Sequence, residues 1–389
     1  MNLDVSTSLW WMAPEKIEMR EEFLAPFPAM GEVRVRALWS GISRGTETLI
    51  ARGDVPIGEY RRMRAPHQRG DFPFPVCYGY CMVGVVESLG DSLGVGSQNP
   101  GEVAVAEIEP VAAHAEHESG AGATAVNAEQ SLAVGDRVFV LYPHVSRFDV
   151  PVSAVRRLPQ AVSPMRAVLA ANLETALNGV WDLAAQPGER VAVLGAGVVG
   201  LLTAWLLAQI PALEVTVVDP VFAVDQERAG DVARVRDRRV EVAQRLGLTR
   251  WVASLEGAPL QDACVHASGH GAGLAAALEQ LADEGRVVEL SWFGNKSIEL
   301  PLGGAFHSRR LTLRSSQVGQ LPPSMRPRWD YTRRFDVVTR LLQSAALDAL
   351  LEPALAAEDA ESQMVRRLME PGLCVPIDWR NLGAADRSA

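Results

Sequence analysis

The stretch that most constrains the fold is Arg190 to Asp219, RVAVLGAGVVGLLTAWLLAQIPALEVTVVD. A short β-branched run, Val191 to Leu194, ends in Gly195-Ala196-Gly197-Val198-Val199-Gly200, and helix-forming residues follow as far as Pro211. That is the order strand, tight turn, helix. Gly195 permits the turn, Gly197 lets the backbone approach a pyrophosphate, and Gly200 lets the helix pack closely on the strand. The backbone N–H groups of Val198 and Val199, in the first helical turn, face the phosphates with the positive end of the helix dipole. A second apolar strand, Val215 to Val218, ends in Asp219, where a carboxylate can accept hydrogen bonds from the adenosine ribose. Together these elements point to a dinucleotide; if it is a nicotinamide one, NAD(H) is expected in preference to NADP(H), because Asp219 would repel a 2′-phosphate and Pro220 to Ala223 contain no arginine.

Alternating strands and helices continue past this unit. Trp251 to Ser254, Ala263 to Ala267, Arg286 to Leu290 and Leu311 to Ser315 read as strands, and Leu274 to Ala282 as a helix, which predicts a doubly wound, six-stranded parallel sheet. Ser268 and Gly269, just beyond the second of these strands, join the expected cofactor-binding residues. Between Asp219 and Leu248 the chain reads as charged helix. The preceding half is different: Glu32 to Leu38 alternates apolar and polar residues, and Met82 to Val86 and Arg137 to Leu141 are short apolar runs, as in antiparallel strands. Ala167 to Leu183 reads as a helix joining the halves. Arg333 to Leu351 and Glu358 to Met369 read as helices and Cys374 to Trp379 as a strand returning to the β half. The predicted units are residues 1–165, 166–320 and 321–389, the last re-joining the first, with the Pro322 to Pro327 link as a hinge. Residues 91–133 form an expected mobile insertion; Gly101 to Gln130 holds six acidic and no basic residues and few groups able to bury surface.

Composition narrows the function classes. At 389 residues, with 48% hydrophobic and 22% charged residues, the chain can bury a large core in two units. A net charge of −10 argues against a nucleic-acid surface, which needs a basic patch. Only Lys16 and Lys296 among the 37 basic residues are lysines, which reads as a compositional bias of the source. Four scattered cysteines, Cys77, Cys81, Cys264 and Cys374, make no disulfide framework and suit a reducing cytoplasm. No apolar run reaches the ~18 residues of a membrane span, and Met1 to Lys16 lacks the marks of a secretory leader. A soluble cytoplasmic protein acting on a small molecule is expected.

Several further segments carry a family likeness: Gly31-Glu32-Val33-Arg34-Val35 leading to Ser40-Gly41-Ile42-Ser43, Gly79-Tyr80-Cys81 before Gly84-Val85-Val86, Val134-Gly135-Asp136-Arg137-Val138, the GAGVVG turn, Ala267-Ser268-Gly269, and Met369-Glu370-Pro371-Gly372. In this order the chain resembles the medium-chain dehydrogenase/reductase superfamily, which includes the zinc alcohol dehydrogenases. Ser40 to Glu47, SGISRGTE, is similar to a branch containing bacteriochlorophyllide dehydrogenase-like proteins. The resemblance implies a GroES-like antiparallel β domain completed by the C-terminal tail, a Rossmann domain, hydride transfer on an alcohol or ketone, and a homodimer.

It also implies where zinc ligands would stand, and the chain departs there. The places of a Cys, a His and a Cys or Glu hold Ser43, Tyr80 and a residue near Ala171-Asn172, so no catalytic zinc is expected. A site rebuilt from Cys81, His144 and Glu174 is the alternative. His114 and His117, in the acidic insertion, read as solvated. Without a metal, Ser43 and Tyr80 become the candidate hydrogen-bond donors to a substrate oxygen, and His144, ending a strand at the cleft side, a candidate proton relay. His266 and His307 read as packing or capping residues, and Arg44 and Glu47 as an ion pair or a helix-start cap. The expected activity interconverts a secondary alcohol and a ketone. Reduction of an activated double bond, as in quinone and enoyl reductases, and non-catalytic sensing of the dinucleotide are the alternatives.

Overall fold

The computed structural model describes residues 4–90, 132–223 and 238–382; the acidic segment with His114 and His117 lies outside the described residues. The chain opens with a hairpin of Val5–Ala13 (β1) and Lys16–Phe23 (β2), followed by the long strand Glu32–Ile42 (β3), the helix Arg44–Arg52 (α1), and the strands Arg69–Gly70 (β4), Val76–Cys77 (β5), Met82–Leu89 (β6), Arg137–Val140 (β7), Arg147–Pro151 (β8) and Val155–Arg157 (β9). Ala170–Leu183 (α2) leads into Arg190–Leu194 (β10), Val198–Leu207 (α3), Glu214–Val218 (β11), Arg238–Arg245 (α4), Trp251–Val252 (β12), Gln261–His266 (β13), Gly271–Glu279 (α5), Leu281–Glu289 (β14), Ala305–Ser308 (α6) and Thr312–Ser315 (β15). The tail holds Tyr331–Leu341 (α7), Leu355–Ala356 (β16), Ala360–Met369 (α8) and Val375–Asp378 (β17).

Among the described residues the strands form three sheets. β10 to β15 form the expected six-stranded parallel sheet in the order β12-β11-β10-β13-β14-β15. Its order reverses between β10 and β13, and ligands of open α/β sheets bind at the carboxyl ends of strands at such a point. The β half holds a four-stranded sheet, β2-β1-β5-β4, and a seven-stranded one built on β16-β17-β3-β6-β7-β9 with β8 pairing β3. β17 pairs antiparallel with β3, Ile377 opposite Ser40, so the tail completes the β half as expected.

The core explains the pairing. Val33, Val35 and Ala37 of β3 pack with Val86, Val138, Phe148 and Ile377 inside the β half. A second cluster runs from Val191 and Val193 through Leu173 and Leu201 to Phe139 and Val83, so the sheets share apolar contacts through α2. Within Glu32 to Leu38 the alternation is broken at Arg34, which is buried, its guanidinium held by Asp149 at 2.8 Å and Asp4 at 2.9 Å. β8 runs antiparallel beside this part of β3 and sets Asp149 opposite Arg34, and a buried charge needs such partners.

Element bounds differ from expectation where local chemistry intervenes. The first tail helix begins at Tyr331, with the Asp330 carboxylate accepting from the N–H of Arg333 at 2.7 Å. It ends at Leu341, and Ala345–Leu350 is a separate 3₁₀ segment after Ser344. The alanine-rich helix stops at Glu279, because Leu281 already belongs to β14. Of the charged stretch beyond Asp219, the described part is a 3₁₀ turn, Pro220–Ala223, and α4. Among the described residues no helix is long and apolar enough to cross a membrane.

Candidate functional site

The glycine turn closes as its spacing requires. Gly195 has φ of +113°, and a Cβ there would lie 2.8 Å from the amide nitrogen of Ser268. A Cβ on Gly200 would lie 1.9 Å from the Gly195 carbonyl oxygen, so α3 packs on the strand end only with glycine there. Gly197, by contrast, has open space where its Cβ would be, at the N-terminus of α3. Room beside that helix terminus, with backbone N–H groups facing it, fits a pyrophosphate. Across the β10/β13 boundary the backbone of Ala267 and Ser268 stands against Gly195 of the turn, and Gly269 follows them in sequence.

Asp219 ends β11, and its carboxylate is more occupied than a simple ribose acceptor: Oδ2 accepts from the N–H of Ala196 at 2.8 Å and Oδ1 from that of Val221 at 3.0 Å. It ties β11 to the phosphate turn and keeps lone pairs for a ribose hydroxyl. The Arg239 guanidinium, on α4, approaches Oδ1 at 3.7 Å. Sequence order hid this arginine because it lies twenty residues beyond Asp219. Arg250 pairs with Glu214 at 2.9 Å, at the opposite end of β11.

In the β half, Ser43, Tyr80 and Asn172 converge from three separate segments. Tyr80 Oη donates to Ser43 Oγ at 2.5 Å, and Ser43 Oγ donates to Asn172 Oδ1 at 3.2 Å. Thr46 Oγ1 lies 3.2 Å from the same phenol oxygen, a fourth member that sequence reasoning missed. Its signal was present, since Ser43 and Thr46 are three apart at a helix start and so share a face. Burial pushes the Tyr80 phenol above its ordinary pKa, opposed by its hydrogen bonds to Ser43 and Thr46. It therefore stays protonated at neutral pH and able to donate.

α1 presents Ser43 and Thr46, and a buried chain beneath holds it in place. Glu47 Oε1 accepts from the N–H of Ser43 at 2.7 Å, and Glu47 Oε2 from His144 Nε2 at 3.0 Å. His144 Nδ1 lies 2.8 Å from Ser40 Oγ, which also accepts from Trp379 Nε1 at 2.8 Å. The bonding closes in one tautomer: a carboxylate only accepts, so Nε2 carries the proton and Nδ1 accepts from Ser40. This corrects the expectation of a relay at the cleft edge. His144 is buried, both its nitrogens are engaged, and it reaches the hydroxyl cluster only through Glu47 and the Ser43 backbone. Glu47 is the expected helix-start cap, whereas Arg44 makes no pair with it: its guanidinium donates to the carbonyls of Leu373, at 2.7 Å, and Leu368, at 3.0 Å, in the tail.

The alternative metal set does not assemble. Glu174 is taken by Arg334 at 3.0 Å, and His144 by Glu47 at 3.0 Å and Ser40 at 2.8 Å. Among the described residues no cluster of three or more His, Cys, Asp or Glu could hold a metal ion. At the first position the donors Ser43, Tyr80 and Asn172 are a hydroxyl, a phenol and an amide, which do not fit Zn²⁺ as thiolate, imidazole and carboxylate do.

No family model matches the sequence. Solved structures match nearly all of it. An alcohol dehydrogenase from Escherichia coli complexed with NADH superposes with a TM-score of 0.66 at 17% identity, over 96% of this chain and 99% of that one. The 2R,3R-butanediol dehydrogenase of Bacillus subtilis gives 0.66 at 16% identity over the same shares, 96% and 99%. Alcohol dehydrogenase TADH from Thermus sp. gives 0.62 at 20% identity, again over 96% and 99%. The chain has the medium-chain dehydrogenase fold. In that medium-chain frame the glycine turn and the hydroxyl cluster occupy the Rossmann and GroES-like parts respectively.

Proposed function

We propose that this chain is a nicotinamide-dependent oxidoreductase of the medium-chain type, related to the SGISRGTE branch, that interconverts a secondary alcohol and a ketone without catalytic zinc. The observation that carries the reading is the hydroxyl cluster of Tyr80, Ser43 and Thr46 in a chain that also builds a dinucleotide turn. The bound nicotinamide would supply the hydride acceptor or donor. Gly197, Val198 and Val199 would hold its pyrophosphate, and Asp219 its adenosine ribose.

The protein's own part is to manage charge on the substrate oxygen. Tyr80 Oη, which keeps its proton, would turn its donation from Ser43 to that oxygen as charge develops there. Ser43 stays aimed at Tyr80 because Asn172 takes its proton, so the phenol is held before the reaction begins. Preorganised donors of this kind supply ~3 kcal/mol of transition-state stabilisation each. Glu47 and His144 hold α1, and with it Ser43 and Thr46, in register. A small-molecule substrate and a homodimer complete the proposal.

The test pairs binding with turnover. NADH should bind about tenfold more tightly than NADPH, since Asp219 repels a 2′-phosphate by ~1–3 kcal/mol and Arg239 offsets part of that. Secondary alcohols and ketones should turn over. Consumption of NADH with quinones or enones alone would move the chemistry to double-bond reduction. Tight binding with no turnover of any class would make the protein a sensor.

A further inference from the structure

A second buried histidine sits at the cofactor end of the parallel sheet. His266 ends β13 and Glu289 ends β14, and the two are register partners. Glu289 Oε2 lies 2.7 Å from His266 Nδ1, and His266 Nε2 lies 2.6 Å from Ser268 Oγ. Glu289 is fixed in turn, its Oε1 accepting from the N–H of Ser291 at 2.6 Å. The N–H of His270 donates to Ser268 Oγ at 3.2 Å. Gly273 completes the packing: a Cβ there would lie 2.9 Å from both His266 Nε2 and Ser268 Oγ. His266 is fully buried, and Ser268 is part-exposed, wedged against Gly195 of the phosphate turn.

The hydrogen positions follow from the partners. A carboxylate has no proton to give, so in the neutral ring Nδ1 carries the hydrogen and Nε2 the lone pair. Ser268 must then donate its only hydrogen inward, to Nε2. One lone pair takes the N–H of His270, and what the oxygen has left to offer is a lone pair and no hydrogen. The neighbouring N-terminus of α3 does the opposite, presenting backbone N–H groups.

We propose that Ser268, locked by His266 and Glu289, is an obligate hydrogen-bond acceptor that selects a donor group on the cofactor, either a ribose hydroxyl or the carboxamide N–H of the nicotinamide. His266 and Glu289 are positioning residues, and the proposal rests on the dinucleotide reading above.

Two readouts test it. Nitrogen-15 NMR of labelled histidine, with the His266 signals identified by their loss in His266→Gln, should show a neutral ring protonated at Nδ1. Glu289→Gln keeps the shape but can turn an amide donor toward Nδ1, so His266 should switch to the Nε2 proton and Ser268 should turn its hydrogen outward. The NADH Kd should rise about three- to tenfold in Ser268→Ala, one neutral hydrogen bond's worth, and at least as much in Glu289→Gln. An acetylpyridine analogue of the dinucleotide, which lacks the amide N–H, separates the two donors. If the carboxamide is the donor, the analogue's affinity ignores Ser268→Ala; if the ribose is, the loss persists. Wild-type His266 protonated at Nε2, or on both nitrogens, would overturn the proposal, as would an unchanged NADH Kd in both variants. Wild-type protein that fails to bind NADH would instead remove the dinucleotide reading, and the proposal with it.

Discussion

Tyr80 is the atom-scale point at which the proposed metal-free carbonyl site would differ from a zinc site. Its phenol is pushed up chiefly by burial, and the ordinary value is ~10. An acidic group whose pKa rises keeps its proton to higher pH, so a rate that depends on Tyr80 donating should show no alkaline loss from this group below about pH 10. A kcat profile from pH 6 to 10.5 checks it; a limb near pH 8 that vanished in Tyr80→Phe would contradict it. His144 and His266 share one device at this scale. Each is a buried imidazole whose tautomer is set by a glutamate on one side and which accepts a serine hydroxyl on the other. Neither was legible in the sequence, because Glu47 and Glu289 lie 97 and 23 residues from their histidines and spacing carries no sign of the pairing.

At the scale of elements, α2 and α7 are joined by a buried cation. Arg334 Nε meets Glu174 at 3.0 Å, and its Nη1 meets Asn178 at 3.1 Å and the Val318 carbonyl at 2.7 Å. Burial pushes the Glu174 carboxyl up, against the pull of Arg334. Arg334→Met should therefore cost about 3–5 kcal/mol at pH 7, the price of a stranded buried carboxylate. The cost should shrink as pH falls toward 5, because the folded variant then binds a proton on Glu174 more readily than the unfolded chain. Denaturant titrations at pH 7 and 5 check this, and equal losses at both would contradict it. Elements with strong periods were legible: β3, β6, β7, β10, β11, β13 and β15 fall on runs that the apolar pattern marks. The hairpin of β1 and β2 was not. Its strands carry polar residues on both faces, with Ser6, Thr7 and Ser8 buried and bonded to other strands. α1 was hidden because Gly45 and the β-branched Thr46 and Thr48 weaken its helical propensity, while Glu47 accepts from the N–H of Ser43 at its start.

Across the whole molecule, three segments far apart in sequence are brought to one site by the closure of the tail onto β3. Arg44 grips the tail carbonyls, Trp379 anchors Ser40, and Asn172 comes in on the helix that joins the sheets. The family likeness singled out Ser43, Tyr80 and the neighbourhood of Ala171-Asn172, whereas the partners of each needed the fold. The chemistry at this convergence is the central claim, and Tyr80→Phe tests it most directly, because it removes one donor atom and keeps the ring in place. Single-turnover hydride transfer should be followed in chelator-treated wild type and variant, with NADH affinity measured alongside. The account predicts full activity after chelation, unchanged NADH affinity, and a rate in Tyr80→Phe lower by about two orders of magnitude. Wild-type activity lost to the chelator and restored by zinc, with Tyr80→Phe as fast as wild type, would contradict it.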